Sequence, residues 1–212
     1  MTTEIHLRRA LGILGMILPL ADIGFGFLIC RYAMGLEVPV SYFDSISATH
    51  YASSSLLFEG VVFAVGCFLI TYRGYDIADY WISTVTGIMG LLLTLFPTAV
   101  EGISAFNFCG IDSSLTRWIH NITAIAFFLG LAFMEIWQFT KTNTDTPTPE
   151  KKKRNVLYRI CGIGMLVAVF LGGAVDFLFH LPFSTYIGEG IGLEFFGIAW
   201  LVKGQTLLKD KC

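Results

Sequence analysis

Residues 156–180, VLYRICGIGMLVAVFLGGAVDFLFH, form one long apolar run broken by Arg159 near its start and Asp176 near its end. A helix rises about 1.5 Å per residue and the hydrocarbon core of a bilayer is about 30 Å thick, so roughly 20 apolar residues span it. This run is long enough. Working outward from it, five more stretches qualify, at 10–32, 52–72, 79–97, 117–140 and 186–206. The expected fold is therefore all-α: a polytopic membrane protein, a bundle of six transmembrane helices forming a single domain over 1–212. The charged N-terminal stretch runs into the first span without a small-residue cleavage pattern, so that span is expected to be retained.

Composition agrees. Of 212 residues, 55% are hydrophobic and 14% charged, where a soluble domain carries about a quarter charged residues. That excludes an ordinary soluble enzyme. A net charge of −2 supplies no field for a phosphate backbone, so nucleic acid is not an expected partner and membrane lipid is. The cations are unevenly placed. Of the fourteen Lys and Arg, all but Arg31 and Arg117 fall at the N-terminus, the second loop, the fourth loop or the C-terminus. With six spans, the positive-inside bias then puts both termini in the cytoplasm. Aromatic residues fit two interface belts, with Trp81, Trp137, Trp200, Tyr72, Tyr80 and Tyr158 on the basic side and Trp118, Tyr32, Tyr51 and Tyr186 on the other.

The segment 141–155, KTNTDTPTPEKKKRN, reads as a cytoplasmic linker whose cations rest on anionic lipid. On the outer side the loops at about 33–51 and 98–116 are long. They mix Val38, Val40, Phe43, Ile103 and Phe106 with Glu37, Asp44, Glu101 and Asp112, a composition suited to a lid over a site. Cys30 and Cys109 lie on that same oxidising side and are candidates for a disulfide. Pro182 turns the fifth span into the sixth, which makes them antiparallel neighbours.

Ionisable groups inside a bilayer are costly, so their positions are informative. Asp22, Glu59, Asp176, Glu189 and Glu194 all fall in the outer half, joined there by His50, His120 and His180. Glu135 alone lies near the inner face, where pairing with Arg159 or Lys203 is expected. Asp176 and His180 are i,i+4 partners, and Arg117, His120 and Asn121 share a face at i,i+3,i+4. These residues predict a polar pocket open to the outside, with Asp22, Glu59, Arg117, Asn121, Glu189 and Glu194 as ligand-binding candidates. Three histidines beside carboxylates also suit zinc, with His50, His120 and His180 as ligands and Asp176 or Glu59 handling protons. In the sixth span, Gly188 and Gly192 stand four apart with Gly190 and Gly197 nearby, a pattern for close helix packing. Pro19, three residues before Asp22, frees a carbonyl one turn earlier and predicts a kink beside the pocket.

The stretch DSISATHYASSSLLFEGVVFAVGCFLITYRGYD, the LFPT that ends the third span and RWIHNITAIAFFLGLAF in the fourth resemble a bacterial family of six-helix integral membrane proteins with no assigned activity. That resemblance implies a six-helix bundle in a bacterial plasma membrane. A His opening the span after a Pro-ended helix also resembles the broader DRAM-like families. A further likeness is to the CREST superfamily of multi-pass hydrolases, which includes ceramidases and uses Ser, Asp and three His around zinc. It implies Ser47, His50, Asp176 and His180 as the corresponding chemical types. Three functions are thus expected to compete. One is binding of a small molecule or lipid head group in a transporter-like, sensing or accessory protein, with a homo-oligomer compatible. A second is zinc-dependent hydrolysis of a lipid amide or ester. The third is proton or cation conduction through Glu59, Glu194, Asp22 and Glu135.

Overall fold

Asp76, Asp112 and Thr148 decide where three helices begin. Asp76 accepts a hydrogen bond from the Asp79 N–H at 2.9 Å, Asp112 from the Ser114 N–H at 2.9 Å, and the Thr148 hydroxyl from the Lys151 N–H at 3.1 Å. Each satisfies a helical donor that would otherwise lack a partner. The computed structural model describes residues 2–100, 103, 111–142, 146–206 and 208, and among these there is helix and no strand. The helices are α1 (Thr2–Ala21), continued by a wider π-helical segment (Asp22–Ala33), α2 (Ser55–Thr71), α3 (Ile77–Leu95), α4 (Ser113–Phe133), continued by a π-helical turn (Met134–Gln138), α5 (Pro149–Phe179) and α6 (Ser184–Lys203).

The fold is the six-helix, all-α bundle read from the sequence. Four of the six, Thr3–Ala33, Ile77–Leu95, Ser113–Gln138 and Pro149–Phe179, are long and apolar enough to cross a membrane, while apolar α2 has 17 residues. Helix α6 carries Glu189, Glu194 and Lys203 within its 20 residues. One boundary needs correction. The linker 141–155 is shorter than expected, because Thr148 caps α5 and Pro149 opens it, so the KKKR run lies on the first turns of that helix. Lys151 is buried there and donates to the Phe139 carbonyl at 2.6 Å.

The two aspartate caps make stability depend on acid. Hydrogen bonds from Lys141 to Asp76 and from Ser114 to Asp112 hold both carboxyls below the usual carboxylate value of 3.8. A group whose folded pKa is lowered stabilises the fold above its unfolded value, and that contribution disappears as pH falls through the folded value. The midpoint of thermal unfolding should therefore drop as the protein is taken from about pH 5 to about pH 3. Asp76→Asn with Asp112→Asn should flatten that part of the drop, as differential scanning fluorimetry across the pH series would record.

Each helix packs on its neighbours in sequence, and α6 closes on α1, so the six form a ring. Glycines permit the closest approaches: Gly172 faces Gly188 between α5 and α6, and Gly66 faces Gly87 between α2 and α3. Glycine at these sites acts through the missing Cβ, as in the small-residue seams of membrane helices. The outside of the ring is apolar. Leu56, Phe177, Ile77 and Trp118 are each more than 60% exposed, an inverted pattern that no water-facing bundle of this size sustains. The interface aromatics divide. Trp81 and Trp137 stand at the surface, but Trp200, Tyr158 and Tyr72 are core residues rather than a belt, with the Trp200 ring 5.0 Å from Phe139 and 5.5 Å from Tyr72.

Most described cations meet at one end of the ring. Lys141 pairs with Asp79 at 2.5 Å and Asp76 at 2.8 Å, Arg9 donates to the Gly204 carbonyl at 2.7 Å, and Lys203 lies over the Tyr75 and Phe139 rings. The expected pairing of Glu135 does not form. Its carboxylate is fully buried and both oxygens are without a hydrogen-bond partner, Arg159 faces outward, and Lys203 is taken by the aromatic rings.

Candidate functional site

At the other end of the ring, residues 38–54 do not arch over the bundle. They enter it. Pro39 starts a tight turn at Val40–Phe43 and a second follows at Ser47–Tyr51. Short hydroxyl side chains close these turns locally: the Ala48 N–H bonds to the Ser45 hydroxyl at 3.1 Å, and the Thr49 hydroxyl donates to the Ile46 carbonyl at 2.6 Å. Phe43 and Thr49 are fully buried and Ile46 and Ala48 almost so. The expected lid is thus a plug, with the Phe43 ring wedged between Phe27 and Tyr186 at centroid distances of 5.4 Å and 6.2 Å.

Polar contacts pin the plug to the helices. The Ile46 N–H donates to Glu189 of α6 at 2.7 Å, and the Thr49 hydroxyl oxygen, whose proton is shared with the nearer Ile46 carbonyl, lies 3.3 Å from the Asp22 carboxyl. Glu59 of α2 holds His50 at 2.7 Å. The Tyr186 N–H donates to the Asp44 carbonyl at 3.1 Å while its hydroxyl donates to the Pro19 carbonyl at 2.6 Å. Pro19 therefore serves the site through its own carbonyl oxygen, which is buried against Tyr186, and the π-helical widening begins just after it, at Asp22. The second outer loop falls largely outside the described residues. Glu101, Phe106 and Cys109 are among those, so the Cys30–Cys109 pairing lies there too; Cys30 itself is buried.

Beneath the plug is a cavity. About 610 Å³ of atom-free space, its mouth included, is lined by α1, α2, α3, α4 and α6, with about 50 Å³ of it free for the centre of a water-sized molecule. It is long but narrow. Its walls are Leu18, Val62, Val65, Leu93, Phe127, Leu131 and similar side chains, and among the described residues its only polar lining residues are Ser47, His120 and Glu189, all at the plug end. His120 is buried on α4 and both ring nitrogens are engaged. Nδ1 lies 2.8 Å from the Phe96 carbonyl and Nε2 lies 3.1 Å from the Ser47 hydroxyl. A carbonyl only accepts, so Nδ1 carries the proton and Nε2 accepts from Ser47.

The structure sorts the expected site residues. His120 and Glu189 line the cavity, and Asp22, fully buried, sits behind the plug with one carboxylate oxygen unpartnered. Glu59 forms a half-buried pair with the plug's own His50. The others stay apart. Arg117 and Asn121 are exposed, because the inward face of α4 runs through Thr116, His120, Thr123 and Phe127 instead. Glu194 is half-buried and off the cavity wall. Asp176 and His180 are exposed at the rim, where His180 ends α5 in a left-handed conformation (φ 49°) and its N–H bonds to the Asp176 carbonyl at 2.8 Å. Burial and the charge of Asp176 push the nearby Asp44 carboxyl up.

The three histidines accordingly do not fit zinc. Among the described residues no three His, Cys, Asp or Glu side chains are grouped to hold a metal. His120 has both nitrogens committed, and His180 is exposed and does not line the cavity. Sequence reading also missed Thr49 and Tyr186 as site residues, and Ser47 entered only by likeness. A usable signal was the run SISATHYASSS, whose hydroxyls favour local turns over a continuing helix.

Fold and site together define an all-helical, membrane-type ring with a plugged internal cavity that is apolar except at one end. No family model, curated protein or solved structure matches the chain.

Proposed function

We infer that the protein binds a slender amphiphile, with the polar group at Ser47, His120 and Glu189 and the hydrocarbon chain in the cavity below. One observation carries this reading: an internal space walled by apolar side chains along its length and polar only where the plug closes it. Binding sites combine a large apolar area with a few polar groups that set orientation. The narrowness favours an alkyl chain over a ring system. Apolar helices and an apolar exterior support a membrane setting. The charge bias, with Arg8, Arg9, Arg73, Lys141 and the α5 cations away from the plug, supports a multi-pass protein of a bacterial plasma membrane with cytoplasmic termini and the plug outside. Likeness to the six-helix bacterial and DRAM-like families supports the same placement.

The test is photo-crosslinking in nanodiscs with a diazirine-bearing fatty acid. Crosslinks are expected on cavity residues such as Phe127 and Leu131, and Ala124→Phe, which adds a ring to the cavity wall, should cut them by about tenfold, equivalent to about 1.4 kcal/mol. Crosslinks confined to the outer surface, for instance at Leu56 or Phe177, would overturn the reading.

A further inference from the structure

We propose that Ser47 and His120 are a nucleophile and general base that cleave an acyl ester bound in the cavity. The proposal rests on the amphiphile reading above and gives that site a reaction. Three observations carry it. The Ser47 oxygen and His120 Nε2 are 3.1 Å apart, within reach for direct proton transfer. The ring is held by the Phe96 carbonyl, 2.8 Å from Nδ1, which fixes the tautomer that leaves Nε2 able to take a proton. A backbone carbonyl here does the orienting that a carboxylate does in a triad. Both side chains also line the apolar cavity, so an alkyl chain lying in it brings its polar end to them.

The surrounding hydroxyls are aligned with this direction. Ser45 and Ser47 oxygens are 3.1 Å apart, and the Ser45 oxygen accepts from the Ala48 N–H. With its own hydrogen directed to His120, Ser47 accepts from Ser45. The chain of donors then runs from the Ala48 amide through Ser45 and Ser47 to Nε2.

The chemistry balances without an oxidant or metal. The Ser47 oxygen forms a bond to the ester carbonyl carbon as its proton passes to His120 Nε2. The bond from that carbon to the alkoxy oxygen then breaks, and Nε2 returns the proton so that an alcohol leaves. Water adds to the acyl-serine by the same path, giving a fatty acid and restoring Ser47.

The experiment uses the full chain in nanodiscs with a hexadecyl fluorophosphonate. Its phosphorus is attacked by an activated serine oxygen with loss of fluoride. Wild type should be labelled at Ser47, located by peptide mass spectrometry, at a rate that follows titration of a single base. Ser47→Ala should abolish labelling, while Ser53→Ala, at an exposed serine outside the cavity, should label as wild type. His120→Gln keeps a hydrogen-bonding side chain but no base, and should slow the reaction by about 100-fold or more. Labelling at another serine, or a wild-type rate independent of pH, would overturn the proposal, and the pH arm decides even if His120→Gln does not fold. Wild type that takes the diazirine probe into the cavity yet resists the fluorophosphonate overturns the dyad alone. Wild type that does neither overturns the pocket as well.

Discussion

Replacing Gly188 with leucine should leave no cooperative unfolding transition in detergent. A Cβ built on Gly188 would stand 2.5 Å from the Ala168 carbonyl oxygen and 2.9 Å from the Gly172 Cα. Both neighbours are backbone, so no side-chain rotation relieves the contact. The helices must separate along a seam that joins α5 to α6, and α6 is also the element that closes the ring on α1. Overpacking of this kind costs about 1–3 kcal/mol where side chains can yield, and more where backbone must move. Helix association in lipid depends on close contact, since apolar surface gains little by leaving lipid tails. Gly173→Leu is the control. Nothing lies within 4 Å of a Cβ there, so its melting temperature should stay within a few degrees of wild type. Gly188→Leu with a melt as high as that control would show that the two helices have room to part.

Lys141→Ala should destabilise the opposite end by about 3 kcal/mol, near the low end of the range for breaking a buried pair. Asp79 is fully buried, while the Lys141 side chain is 23% exposed. Removing the lysine therefore strands the member of the pair that water does not reach. What remains to Asp79 is the Tyr75 N–H at 2.8 Å. A second substitution distinguishes charge from packing. Asp79→Asn in the Lys141→Ala background keeps an oxygen to accept from Tyr75 and removes the stranded charge, so about half of the lost stability should return in urea unfolding. Loss no greater than that of Lys152→Ala, at an exposed lysine, would mean that the Lys141 to Asp79 contact contributes little.

The legible part of the fold was the part governed by lengths. Apolar runs such as 156–180 have to be about as long as a bilayer is thick, and that constraint acts on each segment alone. Helix starts were legible in principle too: Thr148 before Pro149 is a local signal, yet the cationic run after it drew the boundary too late. The site was half legible. Asp22, Glu189 and His120 stood out because ionisable groups at membrane depth require partners. Arg117 and Asn121 were assigned to the wrong face, since spacing alone gives relative angles on α4 and leaves open which face turns inward.

Sequence by itself determined the helical class, the number of helices and the uneven placing of cations and acids along the chain, because burial of an apolar helix penalises charge and unpaired backbone wherever they occur in the chain. Tertiary structure decided the rest. Only closure of the ring showed that residues 38–54 descend into it, that Glu189 and Asp22 hold that plug, and that Ser47 meets His120 across 73 positions of sequence. Such contacts depend on how six helices rotate and approach one another, and that depends on which glycines lack a Cβ at each seam rather than on any one segment's composition.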